Sequence, residues 1–392
     1  MSFRAAKRLD NLPNYPFVAL QAKIRELQTA GKEVFRMDMG SPDLPPPDFV
    51  IEKLVESARQ PDKHGYSGYR GTPEFRQAVA RYYKNTFDVD LNPETEVLPL
   101  LGSKEGLMNL SIAVLSPGDV VLNPTPAYPT YEMGGRLTEA EVYNMPLTRE
   151  NNFFPDLDAI PADVAARARI LWLNYPNNPT GAMCTVEDYA RAVEFCAEHD
   201  ILLASDNPYF AVVFSGPIAP SALQAPNAKA HTVEFMSLSK SHNMAGWRLG
   251  AAVGNADVLA ALLQVKSNVD SGSFKPAYEA AVCALDETPQ EWMDERNAVY
   301  AKRARMIVDA FPELGLELEF MPNGSLYIWG TVPDGDDVGY AEGALHDAGV
   351  AIVAGSTYGD IGKGYVRITL NVPEDKLARA LESWKQWASS RP

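Results

Sequence analysis

Cysteine and histidine are scarce in this chain of 392 residues: three cysteines, Cys184, Cys196 and Cys283, and five histidines. An odd number of cysteines without metal-ligand spacing excludes a disulfide framework, and histidines so scattered exclude a zinc site, so no metal is expected. No run of about 18 apolar residues occurs, which leaves no candidate for a membrane-spanning helix. The opening MSFRAAKRLDNLPNYPF lacks the apolar centre of a signal peptide, and a cytoplasmic protein is expected. Basic residues are in deficit, 35 Lys and Arg against 51 Asp and Glu, for a formal net charge of −16. Nucleic acid is therefore a poor partner, because a phosphate backbone needs a basic face. Small anions are not excluded, since one well-placed arginine holds an anion on an acidic protein. Internal repeats and low-complexity tracts are absent, as are a P-loop and a GxGxxG opening a βαβ unit, which removes the common nucleotide enzymes.

What is present is an ordinary globular composition, 46% hydrophobic and 22% charged, long enough for two domains. A proline-containing arm leads into a helix-like segment from Val18 to Ala30, and Gly40–Pro47 (GSPDLPPP) reads as a loop entering a helix. Between about residues 96 and 255 short apolar runs alternate with helical stretches: Val97–Leu101, Val120–Leu122, Ile170–Leu173, Ile201–Ala204, Val233–Met236 and Ala251–Val253. That alternation predicts an α/β fold, a mostly parallel sheet with helices on both faces. A smaller α+β domain is expected to follow, with strands at Gly324–Trp329 and Tyr365–Leu370. The predicted division is 46–284 for the large domain, with 1–45 and 285–392 forming the arm and small domain.

In such sheets ligands sit beyond the carboxyl ends of the strands, and the chemically distinctive residues of this chain fall there. Successive apolar runs are followed by Gly102-Ser103-Lys104-Glu105-Gly106, Pro126-Ala127-Tyr128-Pro129, NYPNNPTG (Asn174–Gly181), Asp206-Asn207-Pro208-Tyr209 and Ser237-Leu238-Ser239-Lys240. The set meets the needs of an imine-forming cofactor with a phosphate and a pyridine ring. Gly102-Ser103-Lys104 at a helix start offers N–H groups to the phosphate, joined by the Ser237 and Ser239 hydroxyls and Arg248. Asp206 is the carboxylate that keeps a ring nitrogen protonated. Tyr128 suits stacking on the ring, Asn178 and Tyr209 suit its phenolic oxygen, and Lys240 suits the imine and the later proton transfer.

Each residue has a plainer reading as well. Asp206 equally suits a helix cap, Asn178-Pro179-Thr180-Gly181 a turn, Tyr128 packing, and Lys104 with Glu105 solvated charges in a first helical turn. His242 shows no partner in sequence and reads as packed or solvent-facing rather than as a base. Gly40 either lends its main chain to substrate or only permits a turn. Ser237-Leu238-Ser239-Lys240 and Ser205-Asp206-Asn207 imitate two β-lactamase motifs, but their order is reversed and no KTG follows.

NYPNNPTG, DNPY and SLSKSHNMAGWRLG, in this order, resemble the signature segments of class I aminotransferases, which are pyridoxal-phosphate (PLP) enzymes of fold type I. The resemblance covers nearly the whole chain. It assigns Lys240 to the imine, Asp206 to the ring nitrogen, Asn178 and Tyr209 to the ring oxygen, and Ser103, Lys104, Ser237, Ser239 and Arg248 to the phosphate region. It further implies that Arg367, in YVRITL, grips the substrate α-carboxylate with its planar fork. Tyr66, in HGYSGYRG, then reaches the phosphate of a neighbouring subunit, which implies a homodimer with shared sites. NPETEVLPLLGSKEG (Asn92–Gly106) and KSNVDSGSF are most similar to the LL-diaminopimelate aminotransferase group, and an alanine–glutamate aminotransferase group shares much of the same spelling. The resemblance implies amino transfer between an L-amino acid and a 2-oxo acid such as 2-oxoglutarate, with LL-diaminopimelate as the favoured donor and alanine–glutamate exchange as the alternative. The same fold and lysine also serve PLP-dependent C–S lyases. Specificity is expected to reside in loops such as Tyr66–Arg70 and Asn268–Lys275.

Overall fold

The computed structural model describes residues 4–10, 12, 13 and 15–391. Its strands in chain order are β1 (Phe35–Arg36), β2 (Val97–Leu100), β3 (Val120–Thr125), β4 (Glu141–Pro146), β5 (Ala168–Leu173), β6 (Leu202–Asp206), β7 (Thr232–Ser237), β8 (Gly250–Gly254), β9 (Glu317–Leu318), β10 (Tyr327–Thr331), β11 (Val350–Ala351), β12 (Val353–Ala354) and β13 (Tyr365–Thr369). Seven of them form one sheet in the order β2-β8-β7-β6-β5-β3-β4. Only β8 runs against its neighbours there; all other pairings are parallel. The six apolar runs read from the sequence are all strands of this sheet: five are central and covered on both faces, and β2, at one edge, is buried along its whole length. The seventh, β4, is an edge strand with mostly solvent-facing side chains, so its sequence EVYNMP carries no continuous apolar run.

The helices obey their local signals. Thr72 caps Pro73–Phe87, with proline in the first turn. Thr185 and Asp188 form a reciprocal capping box for Val186–His199, and the Asn255 side chain accepts from two N–H groups opening Ala256–Lys266. The helix near the N-terminus spans Phe17–Thr29, one residue ahead of the expectation, and Gly40–Pro47 is a loop leading into helix Asp48–Ala58.

A second sheet, β12-β13-β10-β9, and the short β1–β11 pair belong to a separate core that includes Tyr300, Ile307, Phe311, Ile328, Val350, Ile368 and Trp384. Strand β10 starts at Tyr327, later than expected, because Ser325 adopts a φ of 65° and Gly324 instead bridges to Val213. The two cores interlock: Tyr209 and Val212 pack into the second, while Trp329, Val353 and Tyr358 pack into the first. Between them lies a cavity of about 550 Å³.

Candidate active site

Strand periodicity aims the two most telling side chains at this cavity. On β13, Val366 and Ile368 enter the second core, so Arg367 between them faces the other way. On β6, Asp206 shares its face with Leu202 and Ala204, which pack with Tyr131 and Trp172. Tyr131 stacks on Trp172, centroids 4.9 Å apart, and its hydroxyl donates to Asp206 Oδ2 at 2.6 Å. The other oxygen, Oδ1, has no partner, although the residue is only 4% exposed. Burial drives the Asp206 carboxyl up to about 7; the Tyr131 bond opposes the shift and Glu234 adds to it. A buried carboxylate oxygen without a donor is costly, and a cation reaching Oδ1 would offset that cost.

Lys240 lies in the short helix Leu238–Ser241 directly after β7. Its ammonium donates to the Gly40 carbonyl. Burial first, then the positive charges of Arg248 and Arg367, lower its pKa to about 8, so the neutral, nucleophilic amine is accessible near neutrality. Asn174 Nδ2 donates to the Asp206 carbonyl at 2.6 Å, and its Oδ1 accepts from the Asn178 N–H at 2.8 Å. One side chain thus ties the NYPNNPTG loop to the end of β6. Asn178 Oδ1 in turn accepts from Arg367 Nη1 at 2.9 Å. The Arg367 guanidinium also donates to the Asp38 carbonyl and lies 4.5 Å from the ring centre of Tyr327 and 5.0 Å from that of Tyr358. Its Nε is unpartnered, which leaves donor capacity for a ligand. Tyr209 and Tyr327 share a hydroxyl–hydroxyl bond of 2.6 Å.

The opposite wall is an anion cradle. Helix Ser103–Val114 begins after Gly102, whose φ is 76°, and a Cβ there would meet Arg248 Nη2 at 2.3 Å. Glycine is therefore required twice, for conformation and for space. Arg248 donates to the carbonyls of Ala245 and Leu101 at 3.1 and 3.2 Å, and the Ser237 hydroxyl accepts from the Ser239 N–H at 3.2 Å. The Lys104 ammonium lies 4.3 Å from the ring centre of Tyr15 and 5.5 Å from that of Tyr128.

Ser103, Lys104, Tyr128, Asn178, Asp206, Tyr209, Ser237, Ser239, Lys240, Arg248, Arg367 and Gly40 all line this single cavity. Tyr66 does not; it is 87% exposed. The loops at 66–70 and 268–275 likewise contribute nothing to the lining, but Ser67 Oγ donates to the Ser273 carbonyl at 2.7 Å and joins them. Sequence reasoning missed Tyr15, Gln21, Arg25, Asp38, Asn174 and Tyr327, which complete the wall. Asn174 and Tyr327 stand in segments already singled out, whereas Gln21 and Arg25 carry no local signal.

One reading needs correction. Glu105 is not a solvated charge: it accepts from the Leu101 N–H at 3.2 Å and from Lys266 Nζ at 2.9 Å, and Lys266, 1% exposed, also pairs with Asp270 at 2.5 Å. His242 is packed, one of the two placements expected of it, and not solvent-facing. It is fully buried, has Nδ1 2.8 Å from Ser241 Oγ, and burial together with Arg296 holds its pKa down at about 3. No groups with the make-up of a metal site, and no helix long and apolar enough to cross a membrane, occur among the described residues.

The profile of the family "aminotransferase class I and II" matches residues 32–383. An LL-diaminopimelate aminotransferase of Dehalococcoides mccartyi is 44% identical over 96% of this chain and 97% of its own length. One from Aquifex aeolicus is 43% identical over 98% and 99%. Among solved structures, apo-BacF of Bacillus subtilis superposes with a TM-score of 0.94 at 34% identity, covering 98% of both chains.

Proposed function

The chain belongs to the class I and II aminotransferases, and on that premise we propose that PLP occupies the cavity and that the amino group moves between LL-diaminopimelate and a 2-oxo acid such as 2-oxoglutarate. The unpartnered, buried Asp206 Oδ1 carries the cofactor reading: a protonated pyridine nitrogen is the cation that relieves it, and the opposed pair favours both charged forms. The anion cradle fits the phosphate. Gly102 leaves room for Arg248, and the main chain at Ser103 and Lys104 together with the Ser237 and Ser239 hydroxyls supplies further donors.

Bound there, PLP supplies an electron sink that acidifies the Cα–H of an attached amino acid. Lys240 Nζ holds the cofactor and, once released by substrate, takes up and delivers the proton at Cα. Asn178 and Tyr209 would hold the ring oxygen and Tyr128 would cover a ring face, while Arg367, whose fork Asn178 steadies, would grip the α-carboxylate. Gly40, whose carbonyl is within reach of the Lys240 ammonium, lies at the substrate position.

The exposure of Tyr66 supports a homodimer in which that tyrosine serves the neighbouring site, since its own cavity makes no use of it. The two interlocked cores support a large domain over 46–284 and a small one from 1–45 and 285–392. Three free, buried cysteines are in keeping with a reducing compartment and so with a cytoplasmic location. LL-diaminopimelate aminotransferases 39–44% identical over nearly the whole chain support the donor.

The test is spectral. Candidate amino acids are titrated into the holoenzyme with no acceptor present, and the imine absorbance is followed. Conversion to the pyridoxamine form, reversed by 2-oxoglutarate, is expected, with LL-diaminopimelate the most efficient donor. Alanine performing as well as LL-diaminopimelate would transfer the assignment to the alanine–glutamate group. Pyruvate and ammonia without a pyridoxamine form would point to the lyase.

A further inference from the structure

A buried arginine outside the cavity lining grips the peptide backbone that carries the cofactor lysine. Arg296 stands on helix Gln290–Leu314, whose later residues Tyr300, Ala304, Ile307, Phe311 and Leu314 build the second core. It is 3% exposed. Its Nη1 donates to the carbonyls of Lys240, at 3.1 Å, and of Ser241. Its Nη2 donates to the Ala211 carbonyl and, at 2.9 Å, to Asn297 Oδ1. Asn297 Nδ2 donates to the same Ala211 carbonyl at 3.0 Å, and the guanidinium lies 5.3 Å from the ring centre of Trp292.

Two features separate this group from an ordinary packing residue. Every hydrogen-bond partner is a neutral oxygen. A guanidinium taken out of water without a carboxylate is expensive, and burial accordingly lowers its pKa to about 10. The acceptors are also distinctive. The four-residue helix Leu238–Ser241 is too short to satisfy its own last carbonyls, and the third acceptor, Ala211, lies two residues past Tyr209. One planar fork therefore fixes the main chain beside Lys240 and close to Tyr209, which lines the same cavity, and it does so from a helix that builds the second core.

We infer that Arg296 is a positioning residue for amino transfer, setting the height and direction of Lys240 relative to Asp206 and Tyr209 by clasping the carbonyls of Lys240, Ser241 and Ala211. The inference deepens the proposed function and rests on Lys240 holding PLP, but not on the identity of the amino donor.

The experiment compares Arg296→Met with Ile307→Ala, which loosens the same helix without touching the Lys240 segment, and with Arg296→Lys, which retains a charge but not the fork. Three quantities are read: the rate at which apo-protein takes up PLP as an imine, the induced circular dichroism of the bound cofactor, and kcat against KM. A misplaced lysine slows chemistry steeply, about 10- to 100-fold, so Arg296→Met is expected to lower kcat by that factor with little change in KM. PLP uptake should slow and the dichroic band should weaken or change sign. Arg296→Lys should fall between, and Ile307→Ala should lose thermal stability while retaining the wild-type band and uptake. Arg296→Met behaving like Ile307→Ala in all three readouts overturns the inference. Should Arg296→Met fail to fold, Arg296→Lys decides by the same criteria, and a wild-type band and uptake rate in that variant reject it. Failure of the wild-type protein itself to form an imine with PLP would instead reject the cofactor reading.

Discussion

Arg367 and Asn178 lie in different parts of the chain and share a 2.9 Å hydrogen bond, the guanidinium donating to the amide oxygen. The residue proposed to grip the substrate carboxylate is thus held by a residue proposed to hold the cofactor ring. Arg367 is 3% exposed and has no carboxylate of its own among its hydrogen-bond partners, so a ligand carboxylate meets a donor already aligned. Arg367→Lys keeps the charge but loses the fork and its bond to Asn178. Its kcat/KM is expected to fall about 100-fold for any α-amino acid, an effect of roughly 3 kcal/mol. Steady-state kinetics with two unrelated donors check this, and a loss confined to one donor would argue for a side-chain role instead.

Lys240→Ala removes the amine proposed to hold the cofactor and move the proton. Loss of at least about 1,000-fold in turnover is expected, together with loss of the imine band on adding PLP. A folded variant that still shows the band would identify a different lysine.

The wild-type apo-protein should take up PLP faster as pH rises through about 8, where the buried Lys240 loses its proton. The pH dependence of imine formation measures this, and an inflection near 10.5, the ordinary lysine value, would mean that burial and the two arginines do not act on this amine.

Asp206→Asn separates stability from function. The folded Asp206 carboxyl titrates near 7 instead of 3.8. Between those values the folded protein holds a proton that the unfolded chain has released, so stability falls as pH rises across the window. Lys240, at about 8 instead of 10.5, contributes the opposite slope, and stability rises from about 8 upward. The apo-protein is therefore expected to have a stability minimum between about 7 and 8 from these two groups. Asp206→Asn removes the buried charge, on the order of 2–4 kcal/mol at pH 8, and should raise the apo denaturation midpoint there while abolishing turnover. An unchanged midpoint would show that Tyr131 and the protein dipoles already compensate the carboxylate.

Lys266→Met leaves Glu105 and Asp270 facing each other with their shared cation gone. Breaking a buried network by removing one member costs about 3 kcal/mol or more. The Leu101 N–H that Glu105 accepts adjoins Gly102, so weaker PLP binding should accompany the lower stability. Chemical denaturation and a PLP titration report the two effects, and a midpoint within error of wild type would contradict the expectation.

The sequence was most legible where chemistry and strand geometry coincide. Residues after central strands announced themselves, because a strand covered on both faces is an apolar run and the polar residue ending it stands out: Asp206 after β6 and Lys240 after β7 are of this kind. Arg367, a charge within the apolar YVRITL, was reached through the family resemblance. Strand β4 was invisible because an edge strand need not be apolar, and β1, β9, β11 and β12 span two residues each, too few for a periodic signal. Gln21 and Arg25 reach the cavity only because helix Phe17–Thr29 is laid across its mouth, a tertiary event with no local trace. Glu105 was misread for the same reason. Its cation Lys266, which Asp270 shares, is the last residue of another helix, Ala256–Lys266, and nothing near Glu105 in the chain declares it.

The cavity lining includes Arg25, Lys104, Lys240, Arg248 and Arg367 but only two carboxylates, Asp38 and Asp206, in a chain whose formal net charge is −16. At an ionic strength of 0.15 M a charge is felt over only about 8 Å, so an approaching anion senses the repelling exterior and the attracting interior in sequence. The sign an anion meets therefore depends on how far it has come: the chain as a whole repels it, and the five cations of the lining draw it once it is within that range.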